Sequence, residues 1–404
     1  MSLTPIQDAL EQLIQSVKTI DEAAESIPLT DVSGRILASD IVASMDVPNC
    51  ANSAMDGYAV KAADIQNVPT NLRVTQRIPA GQVGSTLNSG DAARIFTGAP
   101  LPEGADAVVM QENTEASGDD VVIMQAAVAG ENLRAAGEDI KADATLYKAG
   151  HRLRPQDAGV LASVGCTSVG VHRPLKVAVF TTGDELVTPG KELGPGQIYN
   201  SNFYSLSALL QSLHAEVIDL GVIEDEFEST KTALTQAAEV ADCIITTGGV
   251  SVGEEDHVKA AVESTGSLDL WKLAIKPGKP FASGKVLGKQ FFGLPGNPVS
   301  SFVTFSLLVR PLLMRMQGCI DVFAIPLPLQ AGFSADESGE RQEYIRVTLE
   351  STGAEGARIV PYKTQSSGVG ASLSAADGLA IIPPYTAVNE GDTLMYLPFS
   401  ELLS

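Results

Sequence analysis

From about residue 173 to 320 the chain alternates short apolar runs with amphipathic stretches, and this alternation restricts the fold more than any other feature of the sequence. Strands are expected at Leu175–Thr181, Glu216–Val222, Asp242–Thr247, near Leu268–Ile275 and at Phe291–Leu294. Helices are expected at Asn202–Leu213, Glu226–Val240 and Glu255–Ser264, with a long one from about Pro298 to Met316. Strands separated by helices of this length imply a mainly parallel sheet covered on both faces, a three-layer α/β/α unit. Ligands of such sheets bind beyond the carboxyl ends of the strands.

The fold class is therefore multidomain α/β plus β, with the α/β unit at 173–321. A chain of 404 residues is too long for one ordinary core. Residues 45–140 and 322–404 are rich in short strand-like segments punctuated by Gly and Pro, which predicts two small β-domains. Residues 1–44 with 141–172 form a linking domain, helical and extended. In it Ile6, Leu10, Leu13, Ile14 and Val17 follow Thr4-Pro5 at helical spacing, and 141–172 is expected to pack against that helix.

A composition of 44% hydrophobic and 19% charged residues is that of a folded chain. No apolar run is expected to reach the roughly 18 residues of a membrane span, and the N-terminus lacks the pattern of a secretory signal. The expected location is the cytoplasm. A net charge of −22 without a Lys/Arg cluster excludes a nucleic-acid binder. It also requires any site for a small anion to be locally basic. The four cysteines and four histidines are dispersed, which argues for packing roles and against a zinc site.

Two predicted strand ends read alike, Thr181-Thr182-Gly183 and Thr246-Thr247-Gly248-Gly249, and are expected to line one crevice. The second continues as TTGGVSVGEEDHVK, which offers either an anion cradle at a helix N-terminus or, through Gly249-Val250-Ser251-Val252-Gly253, a nucleophile elbow. An elbow requires a histidine later in the chain, and the last one is His257, only six residues on. Lys276 and Lys279 bracket a Pro-Gly turn at the same edge and would present two ammonium groups there. Glu185, Asp225 and Asp256 each follow a predicted strand, and carboxylates beside phosphate suit Mg²⁺. Two further loops are too idiosyncratic for scaffolding: NSAMDGYA at 52–59, which carries Asp56, and GLPGNPVSS at 293–301, which carries Pro295 and Pro298.

Taken in order, NSAMDGYA, FTGAPLPEGAD, GEDI, TTGDEL, TTGGVSVGEEDH, IKPGKP and GLPGNPVSS closely resemble the molybdopterin molybdenumtransferase family, that of MoeA and the gephyrin E domain. The resemblance implies insertion of molybdenum from molybdate into adenylylated molybdopterin, with Mg²⁺-dependent release of AMP. It implies a homodimer with the cleft shared between subunits, and transient contact with the adenylyltransferase and with molybdoenzyme-maturation proteins. Carried over residue by residue, it assigns functional acids at Asp56, Asp139, Glu185, Asp225 and Asp256, with Thr97 beside them. It assigns molybdate binding to Ser251, Lys276, Lys279, Pro280, Arg346 and Ser367, and another cleft cation to Lys272. Thr182, Gly183, Gly248, Gly249, Pro295 and Pro298 would line the substrate site, and Glu185 with Asp256 would hold the Mg²⁺. Cys50-Ala51 stands where many members have Phe-Asp, and His257 where Tyr is common. The competing expectations are a molybdopterin adenylyltransferase, which residues 173–320 also resemble, and a gephyrin-like interaction scaffold.

Overall fold

The computed structural model describes residues 3–20, 24–249, 257–353 and 356–403. At its centre is a six-stranded sheet in the order Glu216–Ile223, Lys176–Thr182, Cys243–Thr247, Lys289–Leu294, Pro280–Val286, Gly266–Lys272. The first four strands are mutually parallel, and Pro280–Val286 runs against both its neighbours. Five of the six strands therefore point the same way, as the alternation of elements predicts. Side chains alternate between faces along each strand. Val177, Val179 and Ile245 pack with Leu206, Leu210 and Val303 on one side, and Ala178, Phe180 and Ile244 pack with Leu234, Val258 and Val262 on the other.

The Pro280–Val286 strand is absent from the sequence expectation, which instead extends one strand to Ile275. Ser283-Gly284 at its centre carries no strand signal, yet Gly284 is required there. A Cβ on it would lie 2.0 Å from the Ser267 carbonyl oxygen of the neighbouring strand. Past Lys272 the chain leaves the central sheet, and Ile275–Lys276 adds in parallel to Gln342–Glu343 of the C-terminal unit.

Pro298–Met316 forms one helix of 19 residues, and it corrects the expectation that no apolar segment reaches spanning length. By length and composition it qualifies, but it is a core helix, with 89% of it buried inside the protein. Pro311 cannot donate to Leu307 and its ring would crowd that carbonyl. The helix widens into a π-turn at Phe305–Val309 just before it, which relieves the clash without ending the helix.

The N-terminal helix Ile6–Ser16 buries Ala9, Leu10 and Leu13 in the central core beside Leu308 and Leu312. Thr4 also bonds backbone to backbone with Lys272 and Ala274. The segment 141–172 pairs elsewhere: Glu25–Pro28 with Ser168–Val171, and Ile41–Val42 with Thr145–Tyr147. Around Val32, Leu37, Leu153 and Leu161 this linking unit has its own small core, with more extended chain than helix. The difference has a simple cause, because the apolar stripe of a short amphipathic helix fits any apolar surface and does not name its partner.

In the N-terminal β-unit the strand order is Ala107–Met110, Gly57–Val60, Asp91–Ile95, Thr70–Ile78, Asp120–Ile123, Thr114–Ser117. In the C-terminal unit Gln342–Ser351 pairs with both Ala357–Pro361 and Gly378–Ile382, closing five strands into a small barrel around Val347, Ile359 and Ala380.

Candidate active site

The carboxyl ends of the central strands open into a cleft of about 760 Å³, within the size range of small-molecule sites. Thr181, Thr182, Thr247, Gly248 and Gly249 form its floor, Glu185 and Asn200–Asn202 one wall, and Pro295–Pro298 with Pro280 and Gly368 the other. The two Thr-Thr-Gly loops are pressed together. Gly248 has φ +94°, and a Cβ there would meet the Thr182 carbonyl oxygen at 2.6 Å. At Gly249, φ +60°, a Cβ would lie 2.5 Å from Val258. Only glycine takes both the left-handed backbone and the close approach. Gly183 opens the other loop, and the Glu185 carboxylate folds back over it, 2.6 Å from where a Cβ would stand.

Two helices begin at the cleft, Ser201–Ser212 and Pro298–Met316, and helix N-termini favour anions. The Asn200 side chain caps the first by accepting from the Phe203 N–H, and donates to Thr181 Oγ1 at 2.9 Å. Pro298 occupies the first turn of the second, where a missing N–H costs nothing. Asn202 Nδ2 donates to Thr247 Oγ1 at 2.9 Å and to the Gly296 carbonyl at 2.7 Å, and Thr247 Oγ1 donates to the Pro295 carbonyl at 3.1 Å. One amide thus ties three loops. Thr182 Oγ1 is buried in the lining without a hydrogen-bond partner among the described residues.

Beside Pro280 lies the turn Lys276-Pro277-Gly278-Lys279. Gly278 has φ +103° and sits on the long helix, where a Cβ would be 2.5 Å from Thr304 Oγ1. Lys279 is exposed. Lys276 pairs with Glu343 at 2.9 Å, across the junction with the barrel. Lys272 ends its strand opposite Pro280. Arg346 does not line the cleft. It is 1% exposed and donates to Ser372 Oγ and to the carbonyls of Thr364 and Ser366 at 3.0–3.2 Å. It thereby fixes the loop whose Ser367 carbonyl accepts from Val299 N–H at the start of the long helix. Ser251 and Asp256 lie outside the described residues.

Three family models match this chain in succession: the MoeA N-terminal region (domain I and II) over residues 4–165, a probable molybdopterin binding domain over 178–315, and the MoeA C-terminal region (domain IV) over 328–399. The molybdopterin molybdenumtransferase of a Nostoc species is 34% identical over 97% of this chain and 93% of its own length. That of Haemophilus influenzae is 44% identical over 76% of both. A molybdopterin biosynthesis MoeA protein from Pyrococcus horikoshii superposes with a TM-score of 0.84 at 30% identity, over 98% of this chain and all of that one. The chain belongs to the molybdopterin molybdenumtransferase family. It is a transferase of molybdenum cofactor biosynthesis.

In this molybdopterin molybdenumtransferase-family chain a second group of expected residues gathers on the N-terminal β-unit, away from the lining of the cleft. Thr97 donates to Asp56 Oδ1 from both its N–H and its Oγ1, each at 2.8 Å. These two bonds, with Arg94 nearby, hold the Asp56 carboxyl below the usual carboxylate range against a small opposing effect of burial. Asp139 is exposed and precedes Ile140, which forms an isolated antiparallel bridge with Val47, upstream of that turn. Asp225 follows the edge strand, its Oδ1 buried without a partner among the described residues.

Among the described residues no three His, Cys, Asp or Glu side chains converge as a metal cage. Mg²⁺ does not ask for one, since it keeps its waters and takes one or two carboxylates plus phosphate. Glu185 on an open cleft fits that donor set.

Asn200, Ser201 and Asn202 are among the cleft residues that sequence reasoning missed. The signal was present in Tyr199-Asn200-Ser201-Asn202, a polar helix start directly beyond the strand ends, which reads locally as an ordinary cap.

Proposed function

We propose that this protein inserts molybdenum from molybdate into adenylylated molybdopterin and releases AMP in a Mg²⁺-dependent reaction. The observation that carries this reading is the cleft itself, a space of about 760 Å³ where two glycine turns and two helix N-termini meet beside a lysine turn. In an acidic protein of net charge −22 that convergence suits a phosphoanhydride next to an oxyanion. Thr182, Gly183, Gly248, Gly249, Pro295 and Pro298 shape the floor and wall for the substrate. Lys276, Lys279 and Pro280, with Lys272 nearby, hold molybdate as a tetrahedral dianion, and Ser251 is assigned to the same ligand. Arg346 acts through the loop bearing Ser367.

Glu185, with Asp256, would hold the Mg²⁺, which when bound neutralises charge on the phosphoanhydride. Asp225 stands near the same edge. Asp56, Thr97 and Asp139 belong to a β-unit that reaches the cleft of a second copy, so the enzyme works as a homodimer in the cytoplasm. It exchanges substrate and product with an adenylyltransferase and with molybdoenzyme-maturation proteins. The corresponding domain division is 1–44 with 141–172, 45–140, 173–321 and 322–404.

The test is AMP release from adenylylated molybdopterin with and without molybdate and Mg²⁺. Release that requires both is expected, and a folded protein giving no molybdate-dependent AMP would sink the reading. Formation of the adenylylated compound from ATP and molybdopterin would instead identify an adenylyltransferase.

A further inference from the structure

Beneath the Asp56–Thr97 pair four side chains form a pile. The Arg77 and Arg94 guanidinium carbons lie 4.4 and 4.5 Å from the centre of the Phe96 ring, and that of Arg94 lies 5.3 Å from the centre of Tyr58. Strand pairing produces it: Arg94 stands opposite Arg77 on one side and Tyr58 on the other, with Phe96 two residues on. The two arginines differ in what they hold. Arg94 Nη1 donates to the Gly57 carbonyl at 2.7 Å and to the Ile95 carbonyl at 3.2 Å, and Nη2 donates to Gln111 Oε1 at 2.6 Å. Gln111 in turn donates its backbone N–H to the Asp56 carbonyl at 3.1 Å. The carbonyls of Asp56 and of the residue after it are therefore both gripped by one Arg94–Gln111 unit, while Ile95, also gripped, lies two residues before Thr97.

We infer that Arg94 is a positioning residue that fixes the Asp56 turn and the Thr97 strand end as one rigid acceptor–donor pair for the substrate. The inference rests on the reading of Asp56 and Thr97 as substrate-facing groups. A forked, planar donor is required, because three acceptors in different directions must be reached from within a stack of rings. A lysine would keep the charge and lose the fork. Arg77 shares the Phe96 ring and supplies the control.

The experiment compares Arg94→Ala, Arg94→Lys, Arg94→Met, Arg77→Met and Asp56→Asn in the full chain, with thermal melts reporting folding. The first readout needs no substrate: the Thr97 amide proton resonance, which senses the Asp56 carboxylate, followed through an acid titration. In Arg94→Ala it is expected to move upfield, its midpoint rising toward an ordinary aspartate, with millimolar guanidinium restoring both. Arg94→Met keeps the stem packing and should show the same change if the guanidinium is responsible. A Thr97 resonance and midpoint unchanged in both variants overturns the inference. The second readout is AMP release, where Arg94→Ala should lose about tenfold or more in kcat with KM little changed, because small misplacements of a reacting group cost that much. Arg94→Lys should fall between, and Arg77→Met should stay within about twofold of the parent. Full activity in Arg94→Ala alongside an inactive Asp56→Asn also overturns it. A fully active Asp56→Asn would refute the catalytic reading of Asp56 instead, and the Thr97 titration would still decide the role of Arg94.

Discussion

Single side chains fix much of what this structure can do, and Asp157 shows how far one carboxylate reaches. It is 1% exposed in the linking unit, and it accepts from His151, Tyr147, and both the backbone and the guanidinium of Arg154. Burial pushes its carboxyl up, but the bonds from Arg154 and His151 outweigh this and bring it down to about 2. A folded value below the unfolded one gives stability that is complete above about pH 4 and is lost as pH falls through about 2. Asp157→Asn should therefore be less stable than the parent by roughly 2 kcal/mol at pH 7, and urea titrations at pH 7, 4 and 2 should show the gap closing. Gly248→Ala should lose roughly 1–3 kcal/mol from backbone strain, and AMP release with it, because the added methyl would meet the Thr182 carbonyl. A Gly248→Ala protein with unchanged melting and activity would show that the two glycine turns are not in contact. The glycines at this cleft were legible in the sequence because their spacing announces a turn. The burial of Arg346 was not, since no local pattern tells a buried arginine holding carbonyls from one facing an anion.

At the scale of elements, what was legible follows from periodicity and what was not follows from partnership. The parallel strands read correctly because each is a continuous apolar run, as a strand covered on both faces must be. The Pro280–Val286 strand was hidden because its centre is selected for closeness to its neighbour. Gly266 and Gly284 stand where a Cβ would meet the opposite backbone at 1.8 and 2.0 Å. Gly284→Ala should therefore open the hairpin and displace Lys279–Pro280 at its far end, seen as protection lost from Leu268–Trp271 amides in hydrogen exchange. The N-terminal helix showed its stripe in the sequence but not its destination. Leu13 is 3% exposed in the central core, so Leu13→Ala should cost about 2–4 kcal/mol, measured as a lower urea midpoint. A loss confined to the linking unit, with the central unit unaffected, would contradict that placement.

Across the whole molecule the C-terminal unit shares an apolar core with the central one, through Tyr344, Leu379, Leu397 and Leu402, and adds polar contacts to it. Lys276 of the lysine turn pairs with Glu343 of the barrel, with side chains 54% and 19% exposed. Such a pair contributes at most about 1 kcal/mol, so Glu343→Gln should hardly change the melting temperature. It should release the ammonium toward the cleft, and the KM for molybdate should fall by about threefold, a change worth under 1 kcal/mol. A KM that rises would mean that Glu343 positions Lys276 rather than competing for it.

Residues Ile275–Lys276 reach their final place only as an added strand on Gln342–Glu343, and this orders events during synthesis. A ribosome that has completed the central sheet and the long helix has made most of the cleft but has not yet made Gly368 of its wall or the strand that seats its lysines. The lysine turn is seated last, by chain that follows the long helix, so a nascent or truncated polypeptide has a cavity whose neighbouring lysines are not yet fixed. Under the proposed reaction, its two substrates meet only on a finished chain.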